Sequence, residues 1–169
     1  EEPEVLEDLG DWVKVDMDGD EGYVSKEYVS ISSELQKAMT MTEVKYGQGV
    51  SDVRVSLVSY ATQFVGNPYV YGGTSPSGFD CSGFTQYVYK HFGVNLNRTA
   101  AAQYSNGTSV SNLQAGDLVM FGKSGINHVG IYIGGNTFIH AANPSKGVTT
   151  DTLSSGYYKT NYVGARRIY

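Results

Sequence analysis

The sequence predicts an α+β domain with its helices first and an antiparallel sheet after them. Three observations carry this. Apolar residues recur at helical spacing between Ser51 and His91. Short apolar segments bounded by glycines take over from Asp117. A small acidic β segment, residues 1–32, stands ahead of both. Helical and strand patterns that are segregated along the chain argue α+β rather than alternating α/β.

The elements follow in order. Asp11-Trp12-Val13-Lys14-Val15, then Asp18-Gly19-Asp20-Glu21-Gly22-Tyr23-Val24, alternate apolar and polar residues around a Gly-containing turn, which is a hairpin signal; Tyr28-Val29-Ser30-Ile31 continues the pattern. Residues 33–50 read as a linker, with a short helix over Ser33 to Met39 and a break at Gly47-Gln48-Gly49. Residues 51–169 form the main domain. Ser51 caps a helix whose apolar residues are Val53, Leu57, Tyr60, Ala61 and Phe64; Gly66 ends it, with Pro68 just beyond. A Gly-, Ser- and Pro-containing loop runs from Asn67 to Asp80. A second helix spans Cys81 to about His91 and stops at Gly93. Strands are expected at Asp117–Phe121, His128–Ile133 and Thr137–Ala141, with a last one at Tyr162–Ile168. No internal repeat is present.

Composition narrows the function. The 169 residues suffice for one domain and a small appendage. Charged residues are only 17% and the net charge is −5, with Arg166–Arg167 the only adjacent basic pair, so the basic footprint of a nucleic-acid binder is missing. No apolar run is long enough to span a bilayer. The 21 glycines and 14 tyrosines suit a turn-rich protein that handles polar ligands. The chain opens on Glu1-Glu2-Pro3-Glu4 without an initiating Met, and is read as a fragment or mature form. A single cysteine excludes an intrachain disulfide and any zinc site with two thiolates.

That cysteine is either a buried apolar filler or a nucleophile. Its setting favours the second. Cys81 follows Gly78-Phe79-Asp80 and opens a helix whose Phe84, Val88 and Phe92 lie four apart. A helix N-terminus carries partial positive charge and free N–H groups, which favour thiolate and can hold an oxyanion. The expectation is therefore a lowered thiol pKa.

A base must come from His91, His128 or His140. His91 lies at the far end of the Cys81 helix, about 15 Å along its axis, and suits the negative helix end instead. His128 and His140 lie on consecutive strands. If Tyr132 pairs with Asn136 across a three-residue loop, His128 stands opposite His140 on one face, with Cβ atoms about 5 Å apart. Gly130 leaves room on that face. A two-residue turn would send the two rings to opposite faces. In the first arrangement His128 takes the thiol proton and His140 orients it. Two exposed polar residues, or a His pair on a metal, are the competing readings; no further Cys, Asp or Glu within the strand pair completes a metal shell.

Five ordered segments now resemble one family. They are Asn67-Pro68-Tyr69-Val70-Tyr71-Gly72-Gly73, Phe79-Asp80-Cys81-Ser82-Gly83-Phe84, Gly116-Asp117-Leu118-Val119-Met120-Phe121, His128-Val129-Gly130-Ile131-Tyr132-Ile133-Gly134 and Phe138-Ile139-His140-Ala141. Residues 60–169 are similar to the NlpC/P60 cysteine peptidases, which are papain-like, and residues 1–32 resemble the second half of a bacterial SH3 domain. The resemblance implies a Cys81–His128–His140 triad and an oxyanion role for Tyr69. It also implies that Asp80 and Ser82 hold the substrate's amino end, while Tyr71 and Arg98 are structural.

The same resemblance implies a secreted or wall-associated bacterial enzyme without cofactor. Its partners would be peptidoglycan stem peptides, cut between γ-D-glutamate and the following diamino acid, diaminopimelate or lysine. A preceding SH3 module implies preference for a free N-terminal L-alanine. An N-acetylmuramoyl-L-alanine amidase or acyltransferase on the same scaffold, and a wall-binding module with an inert thiol, are the alternatives.

Overall fold

The computed structural model describes Glu4–Asp8, Trp12–Met17, Asp20–Ser25 and Asp52–Tyr169. The chain divides into two compact units, Glu1–Ser51 and Asp52–Tyr169. The expected linker and short helix over 33–50, the segment 28–31 and the cap Ser51 lie outside the described residues.

The first unit holds a three-stranded antiparallel meander of β1 (Glu4–Asp8), β2 (Trp12–Met17) and β3 (Asp20–Ser25). The β2–β3 register runs from Trp12↔Ser25 to Met17↔Asp20. β1, not expected from the sequence, pairs with β2 across an irregularity between Val5 and Glu7.

The second unit opens with α1 (Asp52–Thr62), and turns follow to Gly66, whose φ of 92° suits only glycine well. The short strands β4 (Thr74–Ser75) and β5 (Gly78–Phe79) lead into α2 (Cys81–His91). A short helix α3 (Ala100–Gln103) follows. The sheet then forms from β6 (Thr108–Val110), β7 (Leu118–Phe121), β8 (His128–Gly134), β9 (Thr137–Asn143), β10 (Gly147–Thr152) and, after α4 (Gly156–Thr160), β11 (Tyr162–Arg167). Its order is β10-β9-β8-β7-β11-β6, and every pairing is antiparallel.

Period-two alternation divides the sheet's residues between two cores. Leu118, Met120, Val129, Ile131, Ile139 and Ala141 pack with Leu57, Ala61, Phe84 and Val88 of α1 and α2. Val119, Phe121, Tyr132, Phe138 and Ala165 form a second cluster with Tyr158 and Leu153 beside it. No helix among the described residues is long and apolar enough to cross a membrane.

Helix α1 departs from its expected apolar face. Val53 is exposed, whereas Arg54 is buried. Arg54 pairs with the fully buried Asp117, which also accepts two hydrogen bonds from Arg167, and the Arg54 Nε donates to the Ala115 carbonyl at 2.7 Å. A buried carboxylate must be paired, and that requirement overrides hydrophobic periodicity here.

The β8–β9 hairpin corrects the expected register. The loop is two residues, Gly135 and Asn136, with φ of 56° and 59°, as a type I′ turn requires. Tyr132 pairs with Phe138, not Asn136, and Ile131 with Ile139, because Ile133 is bulged out between Tyr132 and Gly134. The shorter turn flips the alternation once and the bulge flips it back. His128 and His140 still share a face, but as diagonal rather than opposed neighbours.

Candidate active site

Asp80 caps α2: its φ and ψ are −91° and 174°, and its Oδ1 accepts from the Gly83 N–H at 2.6 Å. Gly83 is required by packing. A Cβ there would lie 2.0 Å from the Gly73 carbonyl oxygen. The loop 70–73 can therefore lie directly on the first turn of the helix, held by Asp80 N–H to Gly73 O at 2.9 Å. Tyr69 is fixed by a bridge to Phe79. A cavity of about 390 Å³ opens here, lined by Tyr69, Tyr71, Asp80, Cys81, Ser82, Arg98 and Asn127 among others.

Cys81 is 8% exposed. Its Sγ lies 4.0 Å from the Asn127 carbonyl oxygen, and the backbone N–H groups of Val129, Ser82 and Cys81 itself bond to the sulfur. The helix thus delivers the sulfur to the start of β8, where His128 stands. His128 Nε2 meets His140 Nδ1 at 2.6 Å. Gly130 lies beside this pair, and its missing Cβ would come within 3.2 Å of the His140 Cβ. His91 is elsewhere, stacked on Tyr60 with ring centroids 3.9 Å apart.

Two residues near the imidazoles were not singled out from the sequence. Asp151 Oδ2 meets His140 Nε2 at 3.0 Å, and Lys146 Nζ lies 3.5 Å from the same oxygen. The Tyr158 ring stands 5.1 Å from that of His140 and 6.0 Å from that of His128. Asp151 lies on β10 and Tyr158 on α4, a stretch to which the sequence pattern assigns no element. The run Val148-Thr149-Thr150 is rich in β-branched residues and carried a strand signal; α4 is too short to show a period.

The electrostatics differ from the expectation of a lowered thiol. Burial pushes the Cys81 thiol above its ordinary value and the Asp80 charge adds to this; the backbone N–H groups at the sulfur pull against it without overcoming it. Burial lowers His128 to about 3, helped by His140 and opposed by Asp151. His140 falls to about 4 for the same first reason, with Asp151 opposing and Lys146 assisting. The resting site is therefore a neutral thiol beside two neutral imidazoles. Burial also raises Tyr69, with the Asp80 charge adding to it, so its phenol keeps its proton.

Asp80 and Ser82 line the cavity, but their polar atoms are engaged within the protein. Asp80 Oδ1 accepts from Arg98 Nη1 at 3.1 Å; Oδ2 accepts from Arg98 Nη2 at 2.6 Å and from the Gly72 N–H at 3.0 Å. Ser82 Oγ accepts from Arg98 Nη1 at 3.0 Å. Burial alone would raise Asp80, yet these bonds and the Gly83 N–H hold it below the ordinary carboxylate range. The Arg98 side chain, 41% exposed, is the charged group that reaches solvent at the cavity. Among the described residues no group of three His, Cys, Asp or Glu is disposed to hold a metal ion.

Comparison with known proteins bears on this site. Residues 66–167 match the NlpC/P60 family. The chain is 48% identical over 114 residues to the probable peptidoglycan endopeptidase LytE of Bacillus subtilis, covering 66% of this chain and 33% of that protein. It is 40% identical over 117 residues to the gamma-D-glutamyl-L-lysine dipeptidyl-peptidase of Bacillus cereus, covering 66% of this chain and 35% of that one. The chain thus spans about a third of the length of these curated relatives. A crystal structure of an NlpC/P60 family protein from Bacillus cereus superimposes with a TM-score of 0.67 at 29% identity, over 97% of this chain and 52% of that one. With the family match extending over more than half of the sequence and the papain-like α+β arrangement in place, the chain belongs to the NlpC/P60 family.

Proposed function

We propose that this chain is a cysteine peptidase that hydrolyses peptidoglycan stem peptides at the γ-D-glutamyl–diamino acid bond. The observation that carries the reading is the sulfur of Cys81 at the tip of α2, against the backbone that opens β8, where His128 is bonded to His140. The names of the relatives support the substrate class, and the B. cereus dipeptidyl-peptidase supports the γ-glutamyl bond.

In this reading His128 Nδ1 takes the thiol proton as sulfur attacks the carbonyl carbon. The burial that disfavours a resting thiolate makes proton transfer part of the attack. The oxyanion is held by the N–H groups at the start of α2 and by the Tyr69 hydroxyl. His128 returns the proton to the leaving amine, which departs and leaves a thioester. Water, deprotonated by His128, then releases the acid and the free thiol. Asp80 and Ser82 accept from the substrate's amino end, held in place by Arg98 and by the loop packed on α2. The bacterial wall is the location this chemistry requires, and the N-terminal β unit serves as part of an SH3-like module.

Mass spectrometry of products from defined muropeptides tests it. Wild type releases fragments cut after γ-D-glutamate, and Cys81→Ala releases none while keeping its circular dichroism spectrum. Release of whole stem peptides from glycan would favour an amidase, and turnover by Cys81→Ala would end the assignment.

A further inference from the structure

We propose that Asp151 is a positioning residue that sets the tautomers of both imidazoles, so that His128 presents an unprotonated Nδ1 to the thiol. The proposal rests on the peptidase reading for its consequence, but its geometry stands alone. Asp151 lies on β10, whose register places Thr149 across from His140 and Asp151 across from Phe138. Asp151 is thus the diagonal neighbour of His140 on the same face. Its Oδ2 is 3.0 Å from His140 Nε2.

The assignment of protons follows from what each atom can do. A carboxylate only accepts, so His140 Nε2 must carry a hydrogen. In a neutral ring the other nitrogen, Nδ1, is then bare and can only accept. His128 Nε2, 2.6 Å away, must donate to it. That leaves Nδ1 of His128 without a proton, as a base requires. Without Asp151 nothing selects this pattern over its reverse, in which Nδ1 of His128 would carry the hydrogen and could not accept one.

Once His128 is protonated, its positive charge faces the bare Nδ1 of a ring whose far side is held by a carboxylate. His140 is fully buried, which makes that partner more valuable than at a surface. The other groups near the carboxylate are Lys146, whose ammonium is 3.5 Å from Oδ2, and Tyr158, whose ring faces His140. Burial and the Asp151 charge push the Tyr158 phenol to about 12, so it stays neutral. Lys146 is half exposed and drains part of the carboxylate's effect.

The test is nitrogen-15 NMR of the two rings in the full chain, together with kinetics. At neutral pH wild type should show a protonated Nε2 and a bare Nδ1 on both His128 and His140. A ring carrying its proton on Nδ1 in wild type overturns the proposal without any mutation. Asp151→Ala should mix the tautomers and lower kcat by about 10–100-fold with little change in KM, the range typical of lost orienting partners. Asp151→Asn can still accept through its Oδ1 and should keep the wild-type tautomers and more of the rate. Unchanged tautomers or wild-type kcat in Asp151→Ala would overturn the assignment. Because the ring signals need no turnover, their failure is distinct from that of the peptidase reading, which shows in Cys81→Ala.

Discussion

Arg98 grips Asp80 with both ends of its guanidinium, Nη1 on Oδ1 at 3.1 Å and Nη2 on Oδ2 at 2.6 Å. The same carboxylate caps the helix that starts with Cys81. One ion pair therefore ties the cavity wall to the position of the sulfur. Arg98→Ala is expected to cost about 1 kcal/mol, a discounted figure because the side chain is partly exposed. It should also raise KM more than it lowers kcat, since the cavity loses its solvent-reaching cation. Thermal unfolding and steady-state kinetics on the muropeptide check both halves.

Gly130→Ala should disturb the imidazole pair. The added Cβ would meet Phe138 Cδ2 at 2.7 Å, the Ile139 carbonyl oxygen at 3.0 Å and His140 Cβ at 3.2 Å. Overpacking of this kind costs about 1–3 kcal/mol. The expected result is a lower unfolding midpoint in urea together with reduced turnover. A variant of wild-type stability and rate would show that β8 can shift to absorb the methyl.

The thiol should titrate high in the absence of substrate. Burial raises it, and both imidazoles are neutral, so no resting imidazolium draws off its proton. The pH dependence of iodoacetamide alkylation at Cys81 should give an apparent pKa at or above the ordinary value of about 8.5. A midpoint near 4–6 would instead reveal a preformed thiolate–imidazolium pair.

Stability should fall in mild acid. Both histidines are held well below their unfolded value of 6.5, to about 3 and about 4. Between 6.5 and those values the unfolded chain binds protons that the folded one refuses. The contribution is therefore complete above 6.5 and is lost progressively as pH drops toward 4. The slope is about 1 kcal/mol per pH unit for each ring. Urea unfolding at a series of pH values should lose this slope in a His128→Gln, His140→Gln double variant.

Much of the site was legible because its signals are local. The start of α2 at Cys81 followed from Asp80 and the four-residue spacing of Phe84 and Val88, and the helix ends at His91 as its periodicity implies. The shared face of His128 and His140 was anticipated for a reason that proved wrong. The Gly135-Asn136 pair carries the turn, and Ile133 supplies an extra residue that no pattern of apolar spacing announces. Asp151 escaped because β10 has few apolar side chains to mark a face. Burial of Arg54 escaped because its partner Asp117 lies 63 positions away. The thiol's direction escaped because a helix tip is visible in a sequence, whereas the depth at which it sits is not.

The bulge at Ile133 makes the register of the β8–β9 hairpin an even-or-odd device. Deleting that one residue would leave Gly134↔Thr137 and Tyr132↔Phe138 as consecutive pairs and keep His128 on the face of His140. Drawing Ile133 into the ladder would instead slip β8 by one place and carry His128 to the opposite face. The imidazole pair thus depends on Ile133 staying unpaired, not on how many residues the tip contains.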